Sequence, residues 1–492
     1  MRDPRTVIIG GGLGGLTTAV ILARLGRPVT VVEQQRHLGG LVRGYRRAGR
    51  HCPVGVHYLA CLGPAEPLGR LWDWLGVRSL VQAVPLGQDG VVDRYLLAER
   101  DFTLPRGLAA LEDALMAAFP GEAPAVRGFL AGVGSAARAM SSLEGAWPPP
   151  PPPAGADPLE TSGELWERLG ASAGLREVLN VTTSLLGAPP EECPAWLHQL
   201  TLAGLVISPW RLAGGGGEDL AQALAARLAA LGGRALTGVA AARVELAGGR
   251  VSGVHLADGR RLEAERVVLA THPKLLPRLL APGSLKPRQE KRLAALVESE
   301  SMLGVQAMLP AADELPPGGR NYFLGPREGE PGAFFQLSPG ADPGEWFLTA
   351  LCPSPWAGWQ PWEATSSGQR GADYNERKHS LADKLLRQGQ SRLGPWPGLR
   401  VLDVYTPLTL RDWVGTHQGA AYGIMRSCRQ TLDAAFLLRN LLGGLYLTGQ
   451  SILAPGVLGT TFGAMFTVSR MEGQAWLTKE LGLAEGAAKT PS

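Results

Sequence analysis

The first forty residues contain the feature that most limits how this chain can fold. Residues 6–10 (TVIIG) have the pattern of a short buried strand, and residues 15–26 (GLTTAVILARLG) that of a helix ending at a glycine. Residues 28–33 (PVTVVE) predict a second strand. A strand, a helix and a second strand within about 30 residues form a βαβ unit. Because such units pair their strands in parallel, the pattern predicts an α/β fold.

Three glycines occupy the turn between the first strand and the helix, with the spacing Gly10-x-Gly12-x-x-Gly15. Gly10 permits the tight turn, Gly12 lets a pyrophosphate approach the backbone, and Gly15 lets the helix pack close to the strand. The helix N-terminus offers free N–H groups to an anion. Glu33 ends the second strand, where an acid can accept hydrogen bonds from a ribose. The pattern predicts a dinucleotide site; the alternative is a glycine-rich turn without a ligand.

The glycine pair Gly39–Gly40 narrows the choice of cofactor. A nicotinamide dinucleotide would use Glu33 but has no evident use for two glycines six and seven residues later. A larger cofactor such as FAD needs a second close approach to the backbone near its pyrophosphate and ribityl chain, and glycine permits that approach. An ordinary turn after the strand is the alternative. The residues therefore favour FAD.

A second glycine-rich segment lies near the C-terminus. Residues 445–449 (LYLTG) predict a strand, and a long helix is predicted to begin at or after Gly456. A helix N-terminus opened by glycine suits a flavin pyrophosphate or the carbonyl oxygen O2 of the flavin ring. The alternative is a core helix with small residues for packing.

These segments resemble a known group of proteins. The acid followed by a Gly-Gly pair, and the segment LYLTGQ…PGVLG, resemble the FAD-binding fold of the amine oxidase and carotenoid desaturase superfamily. Residues 54–59 (VGVHYL) and 406–424 (TPLTLRDWVGTHQGAAYGI) are similar to motifs of its retinol saturase, carotenoid isomerase and phytoene-dehydrogenase-like members. Those members usually carry Phe-Asp-x-Gly-x-His where this chain has HCPVGVHY, without the acid. The resemblance implies a discontinuous Rossmann-like FAD-binding domain (GR2-type) with an inserted α+β substrate domain.

The glycine motifs and the resemblance together identify the expected cofactor-binding residues. They lie in the two N-terminal glycine motifs, in the middle of the chain and in the C-terminal segment: Gly10, Gly12, Leu13, Gly14, Gly15, Glu33, Gln34, Gly39, Gly40, Leu41, Val239, Ala241, Thr271, Gly449, Gln450, Gly456, Val457 and Gly459.

The resemblance also implies three candidate catalytic residues. His57 and Tyr58 follow a glycine and are expected near the isoalloxazine ring, although a buried structural histidine is an equal alternative. Tyr422 would line the substrate tunnel or donate to a flavin carbonyl, with plain packing as its alternative. His272 is predicted to end a strand that runs toward the flavin. His417 is either a proton donor or a solvated loop histidine.

At 492 residues the chain exceeds one ordinary core, so several domains are expected. The predicted FAD-binding domain has three parts, and the substrate domain has two, the first mostly helical with a proline-rich loop at 147–156. The predicted segments are 1–75, 213–283 and 440–478 for the FAD-binding domain, 76–212 and 284–439 for the substrate domain, and 479–492 for a flexible tail.

The expected activity is FAD-dependent redox chemistry on carbon–carbon bonds of an apolar polyene or isoprenoid, as the resemblance implies. Hydride transfer at flavin N5 to a nearly apolar carbon needs orientation and dryness more than a catalytic triad. The histidines are dispersed and no Gly-x-Ser-x-Gly motif occurs, so neither a metal site nor a hydrolase is predicted. The alternatives are a non-redox carotenoid cis–trans isomerase, an amine oxidase with a small polar substrate, and a flavin-binding scaffold without activity.

Composition bears on partners and location. A formal charge of +4 is slight for this length and argues against a nucleic-acid surface. Five scattered cysteines suggest no disulfide framework, and no signal peptide or apolar run of about 18 residues is apparent. We expect a cytoplasmic protein, with peripheral attachment to the inner face of the membrane as the alternative, and an apolar or basic patch near a tunnel mouth. The aromatics Trp196, Trp210, Phe334, Phe335, Trp346 and Trp356 are expected in the tunnel or in core packing. The electron partner is left open.

Overall fold

A computed structural model describes residues 4–147, 157–311, 315–316 and 318–483. Most of the predicted proline-rich loop (148–156) and the end of the predicted tail (484–492) lie outside the described residues. Within the described ranges, no helix is both long enough and apolar enough to cross a membrane.

The strands are short and number twenty among the described residues. In chain order they are β1 (Thr6–Ile9), β2 (Val29–Glu33), β3 (Tyr45–Arg47), β4 (Arg50–Cys52), β5 (Leu59–Ala60), β6 (Ala83–Pro85), β7 (Val91–Leu96), β8 (Asp101–Pro105), β9 (Pro209–Leu212), β10 (Arg234–Thr237), β11 (Ala241–Ala247), β12 (Arg250–Leu256), β13 (Arg261–Glu263), β14 (Arg266–Leu269), β15 (Met302–Pro310), β16 (Arg320–Leu324), β17 (Ala333–Pro339), β18 (Glu345–Pro353), β19 (Arg400–Tyr405) and β20 (Leu445–Leu447).

In the described part of the chain, six consecutive α-helices lie between β8 and β9, and the others are distributed among the remaining strands. The α-helices are α1 (Leu13–Arg24), α2 (Pro67–Leu75), α3 (Leu108–Ala118), α4 (Ala123–Ala139), α5 (Leu143–Ala146), α6 (Ser162–Leu169), α7 (Ala173–Asn180), α8 (Ala195–Ile207), α9 (Gly217–Ala230), α10 (Leu276–Leu279), α11 (Pro287–Ala294), α12 (Gly371–Leu393), α13 (Pro407–Val414), α14 (Cys428–Asp433), α15 (Gly456–Glu472) and α16 (Ala475–Leu481).

A five-stranded parallel sheet forms the first centre of the fold, with strand order β10-β2-β1-β14-β20. Strands β1 and β14 are almost wholly buried, as parallel strands covered on both faces are. Helix α1 packs against α9 and α15 on one face of this sheet. The predicted α/β class with a Rossmann-like sheet is therefore confirmed.

A seven-stranded mixed sheet forms the second centre, with order β19-β15-β18-β17-β16-β7-β8. Its pairs are antiparallel except β16 with β7. A separate hydrophobic core joins β7, β8 and β16 to helices α3, α4, α6, α7 and α8. The first sheet takes its strands from 1–75, 213–283 and 440–478, and the second from 76–212 and 284–439. We propose those ranges as the two interleaved domains.

The segment between β4 and β5, residues 53–58, is fastened to the seven-stranded sheet. Gln306 on β15 donates from Nε2 to the carbonyl of Pro53 at 2.7 Å, and Gln336 on β17 donates to the carbonyl of His57 at 3.3 Å. The hydroxyl of Tyr405 donates to the carbonyl of Val54 at 3.2 Å. These bonds hold the segment 53–58 against the seven-stranded sheet.

Candidate functional site

A cleft of about 430 Å³ opens at the carboxyl ends of the parallel strands. Gly10, Glu33, Thr271 and Gly449 follow or end β1, β2, β14 and β20, and all four line it. Parallel strands end at one edge of a sheet, which is where open α/β sheets bind ligands. The cleft thus collects residues from both ends of the chain.

Glu33 is held in place by two backbone N–H groups. Its Oε2 accepts from the N–H of Gly11 at 2.7 Å, and its Oε1 accepts from that of Gln35 at 2.8 Å. A carboxylate has about four lone-pair sites, so two backbone bonds leave capacity for ribose hydroxyls. The side chain is oriented before any ligand arrives.

The two N-terminal glycine motifs lie against each other and form one backbone surface. The N–H of Gly39 donates to the carbonyl of Gly11 at 2.8 Å, and Gly12 and Gly39 form a parallel bridge. A Cβ added to Gly40 would lie 3.2 Å from the Cα of Gly12. A Cβ added to Gly12 would have no atom of the described residues within 4 Å, because Gly12 faces the cleft. This surface can receive a pyrophosphate.

Gly14 and Gly15 let helix α1 approach two other backbone segments closely. A Cβ on Gly15 would lie 2.0 Å from the carbonyl oxygen of Gly10, so α1 touches the turn that precedes it. A Cβ on Gly14 would lie 2.7 Å from the Cα of Gly449. Close packing of these backbones joins the C-terminal segment to the N-terminal βαβ unit.

Most of the predicted cofactor-binding residues line the cleft: Gly10, Gly12, Leu13, Gly14, Glu33, Gln34, Gly39, Gly40, Leu41, Ala241, Thr271, Gly449, Gln450, Gly456 and Val457. Three of the predicted residues lie elsewhere. Gly15 packs under the turn, and Val239 is buried with its N–H donating to the carbonyl of Glu33. Gly459 lines a neighbouring cavity.

That neighbouring cavity has a volume of about 670 Å³ and mostly apolar walls. The walls come from α7, α8, β16, β18 and the segment 453–462. The cavity shares Gly55, Tyr58, Tyr422, Gly456 and Val457 with the cleft, so the two spaces meet at these residues. A ligand in the cavity can therefore contact a group bound in the cleft.

Tyr58 belongs to a buried polar network that the sequence reasoning missed. Its hydroxyl donates to Oδ1 of Asp93 at 2.7 Å, and Nδ2 of Asn321 donates to the same oxygen at 3.1 Å. Asp93 is fully buried, and its Oδ2 has no hydrogen-bond partner in the described part of the chain. Burial raises the pKa of Asp93 to about 6 against the lowering effect of these hydrogen bonds. The acid in the predominantly apolar strand VVDRYL was the only signal available in the sequence.

The other two predicted catalytic residues also line the apolar cavity. His57 packs against Phe334 with ring centroids 5.7 Å apart, and burial lowers its pKa to about 4, so it is neutral at pH 7. Burial, with a contribution from Glu300, raises the pKa of Tyr422 to about 12. Tyr422 therefore keeps its proton at neutral pH, and its hydroxyl is a hydrogen-bond donor.

His272 and His417 meet at Glu298. Their ligand atoms lie within 4.8 Å of one another, with His417 Nδ1 at 2.5 Å from Glu298 Oε1. The ammonium of Lys274 lies 2.8 Å from the same oxygen, and His272 Nδ1 accepts from the N–H of Lys274. An imidazole bound to a metal through Nε2 would carry its proton on Nδ1, which accepts here instead, so these contacts favour hydrogen bonding around the Lys274–Glu298 ion pair over a cation site. His272 lines the cleft, whereas His417 is outside both cavity linings.

Two of the predicted aromatics, Trp196 and Phe334, line the apolar cavity. Phe335 is fully buried in the core of the seven-stranded sheet. Trp346 and Trp356 are partly buried and pack against that core. Trp210 packs against the core of the parallel sheet. Core packing accounts for these four residues.

Comparison with known proteins extends these observations. The sequence profile described as flavin containing amine oxidoreductase matches residues 13–462. All-trans-retinol 13,14-reductase of Danio rerio is 25% identical over 94% of this chain and 85% of its own length. Hydroxyneurosporene desaturase of Cereibacter sphaeroides is 27% identical over 56% of this chain and 57% of its own length. Putrescine oxidase bound to putrescine has the same fold, with a TM-score of 0.65 and 18% identity over 96% of this chain and 98% of that one.

The cleft fits the cofactor of this family. Glu33 is oriented for a ribose, the paired glycines present open backbone to a pyrophosphate, and α15 begins at a glycine beside the cleft. The cofactor is FAD and the protein is an oxidoreductase. Because the family profile spans nearly the whole chain and the cleft accommodates its cofactor, the chain belongs to the family of flavin-containing amine oxidoreductases.

Proposed function

We propose that this protein transfers hydride between FAD and a carbon–carbon bond of an apolar polyene or isoprenoid. The observation that carries the proposal is the apolar cavity of about 670 Å³ that opens onto the cleft at Tyr58 and Tyr422. Bound FAD supplies or accepts the hydride at N5 of its ring. Mostly apolar walls bind an apolar chain and keep water from the reacting carbon.

Saturation is the favoured direction, with desaturation second. The retinol reductases match along 94% of this chain, and the desaturase along 56%. Saturating a double bond consumes one hydride and one proton. We assign the proton to the hydroxyl of Tyr422, where the cleft meets the cavity, because the hydroxyl of Tyr58 already donates its hydrogen to Asp93. Asp93 orients the hydroxyl of Tyr58, and Glu300 lines the same cavity and contributes to the raised pKa of Tyr422.

The test uses the flavoprotein under anaerobic conditions. Reduced protein mixed with all-trans-retinol should regain the visible absorption of oxidised flavin while the retinoid gains two hydrogens, measured by mass spectrometry. Removing both hydroxyls (Tyr58→Phe with Tyr422→Phe) should slow that step by about 100-fold, since proton donation contributes on the order of 10²–10⁴. Bleaching of oxidised protein by the substrate would indicate desaturation instead. A product of unchanged mass would indicate the isomerase, and no reaction with any polyene would refute the proposal.

An amine oxidase is the second candidate, because Tyr58 and Tyr422 bring two aromatic rings to the junction. The putrescine oxidase likeness is one of fold alone. Anaerobic bleaching of the flavin by putrescine or benzylamine would favour this candidate over the first.

We further propose that the protein collects its substrate from a membrane surface. Val297 and Leu432 are apolar yet 52% and 54% exposed, and Gln430 links their segments by accepting from the N–H of Val297. The exposed basic residues Lys286, Arg288, Lys291 and Arg429 lie on the same two segments. Thr431, beside Leu432, lines the apolar cavity. An apolar patch with basic neighbours suits anionic lipid headgroups.

Co-sedimentation with vesicles checks this proposal. The protein should sediment with phosphatidylglycerol vesicles at low salt and less with phosphatidylcholine vesicles. Val297→Glu with Leu432→Glu should reduce the vesicle-bound fraction several-fold. Each basic residue near the surface contributes about 1 kcal/mol to binding anionic lipid, and the two added carboxylates offset part of that attraction. Val401→Glu, at an exposed apolar site on β19, is the matched control and should bind normally. Wild-type protein that stays wholly in the supernatant would refute the proposal.

A further inference from the structure

One wall residue of the apolar cavity carries a buried positive charge. Arg426 lies in the loop before helix α14, is 4% exposed and lines the cavity. Its Nη2 donates to the carbonyl of Gln450 at 2.7 Å. Its Nε is buried and has no hydrogen-bond partner among the described residues.

No carboxylate compensates this charge in the part of the chain that the structure describes. Burial alone lowers the pKa of Arg426 to about 10, so the guanidinium is still charged at pH 7. Two carboxylates, those of Glu177 and Glu300, line the cavity, and neither stabilises the charge of Arg426. Glu177 accepts from the N–H of Ala98 at 3.0 Å, and burial alone raises the pKa of Glu300, without a contribution from Arg426. A buried, uncompensated guanidinium is costly, which favours a ligand that supplies the missing anion.

A second polar atom in the same segment also lacks a partner. The Oγ1 of Thr431 is buried without a hydrogen-bond partner among the residues described, and Thr431 lines the same cavity. The nearby residues Leu453, Leu197 and Trp196 make the surrounding wall apolar. The cavity therefore combines a mostly apolar space with one short segment that offers unused N–H and O–H groups.

We propose that the cavity takes an apolar chain that ends in a carboxylate, and that Arg426 and Thr431 bind this carboxylate. The inference rests on the proposed function and specifies its substrate class. The charged end would fix how far the chain enters, and so which carbon–carbon bond reaches the junction at Tyr58 and Tyr422.

Binding titrations of the purified flavoprotein test the inference without turnover. All-trans-retinoate, its methyl ester and all-trans-retinol share one polyene chain, and quenching of tryptophan fluorescence reports occupancy. Wild-type protein should bind retinoate about tenfold or more tightly than the ester, because charge-assisted hydrogen bonds are the strong ones. Arg426→Gln should weaken retinoate binding by about 10- to 100-fold and leave the ester almost unchanged. Thr431→Val, which keeps the shape, should weaken retinoate by about 2- to 10-fold.

Arg211→Gln is the matched control. Burial also lowers the pKa of Arg211 to about 10, and its Nε donates to the carbonyl of Gly318, but it is outside both cavity linings. This variant should keep the wild-type preference for the acid. Arg426→Lys should retain part of that preference.

Three outcomes would overturn the inference. Equal affinities of the wild-type protein for retinoate and its methyl ester would overturn it, and this result does not depend on whether Arg426→Gln folds. A shifted flavin spectrum in Arg426→Gln with an unchanged acid-to-ester ratio would assign the guanidinium to the cofactor instead. Binding of retinol and ester without preference for the acid would leave the proposed function standing, whereas binding of none of the three probes would refute both.

Discussion

Gly12→Val should leave the protein folded and almost free of FAD. The backbone at Gly12 has φ −72° and ψ 179°, which valine adopts readily, and an added Cβ meets no described atom within 4 Å. The side chain would instead occupy the open space where a pyrophosphate must approach the backbone. Loss of two phosphate hydrogen bonds predicts at least about 100-fold weaker FAD binding. The FAD-to-protein absorbance ratio and an FAD titration of the apoprotein measure the effect, and circular dichroism checks the fold.

A control at another open glycine separates cofactor loss from a general effect of valine. Gly121 also has no described atom within 4 Å of an added Cβ and lies at the surface before α4. Gly121→Val should therefore purify with its full complement of FAD. A yellow Gly12→Val protein with normal affinity would mean that the pyrophosphate lies elsewhere.

Asp93→Asn should become more stable relative to the wild type as the pH rises. Burial raises the pKa of Asp93 to about 6 in the folded protein, from an ordinary value of 3.8. The contribution of Asp93 to stability is therefore fully present below about pH 4 and is lost as the pH rises through about 6. Asparagine keeps an oxygen for the hydroxyl of Tyr58 and cannot ionise. Between about pH 4 and pH 7.5, the difference in unfolding free energy should shift by about 2–3 kcal/mol in favour of the variant. Urea unfolding with excess FAD measures it.

Asp89→Asn provides a control of opposite sign. Asp89 pairs with Arg320 at 2.6 Å, and hydrogen bonding and charge from that guanidinium lower its pKa despite some burial. Its contribution is present above the unfolded pKa and is lost as the pH falls, so Asp89→Asn should lose stability at neutral pH. Equal pH profiles for the wild type and Asp93→Asn would contradict the buried-charge argument.

The cofactor and the fold class were predictable because their signals are local. The glycine turn at 10–15 and the acid at 33 lie within one βαβ unit. The geometry of that unit depends on about 30 residues that are contiguous in the chain. The expected FAD and the α/β class with its Rossmann-like sheet are confirmed. The roles of the individual residues stay predictions, although most of the named glycines line one cleft.

The polar groups that shape the chemistry were not predictable in the same way. Tyr58 donates to Asp93, which lies 35 positions away in the chain. Asn321 donates to the same carboxylate from 228 positions away. Arg426 appears in the sequence as an ordinary basic residue after Met425, and neither its burial nor its free Nε has a sequence pattern. Such residues acquire their character from neighbours that the chain brings in from other segments.

The sequence alone determined the nucleotide-binding turn, the acid beside it and hence the class of cofactor, because short-range backbone geometry demands glycine and a strand end at fixed spacings. Only the tertiary structure decided that the two glycine motifs form one surface, that an apolar cavity meets the cleft at two tyrosines, and which buried groups lack a partner. Burial and hydrogen-bond satisfaction depend on the packing of distant segments, and packing is a property of the whole fold.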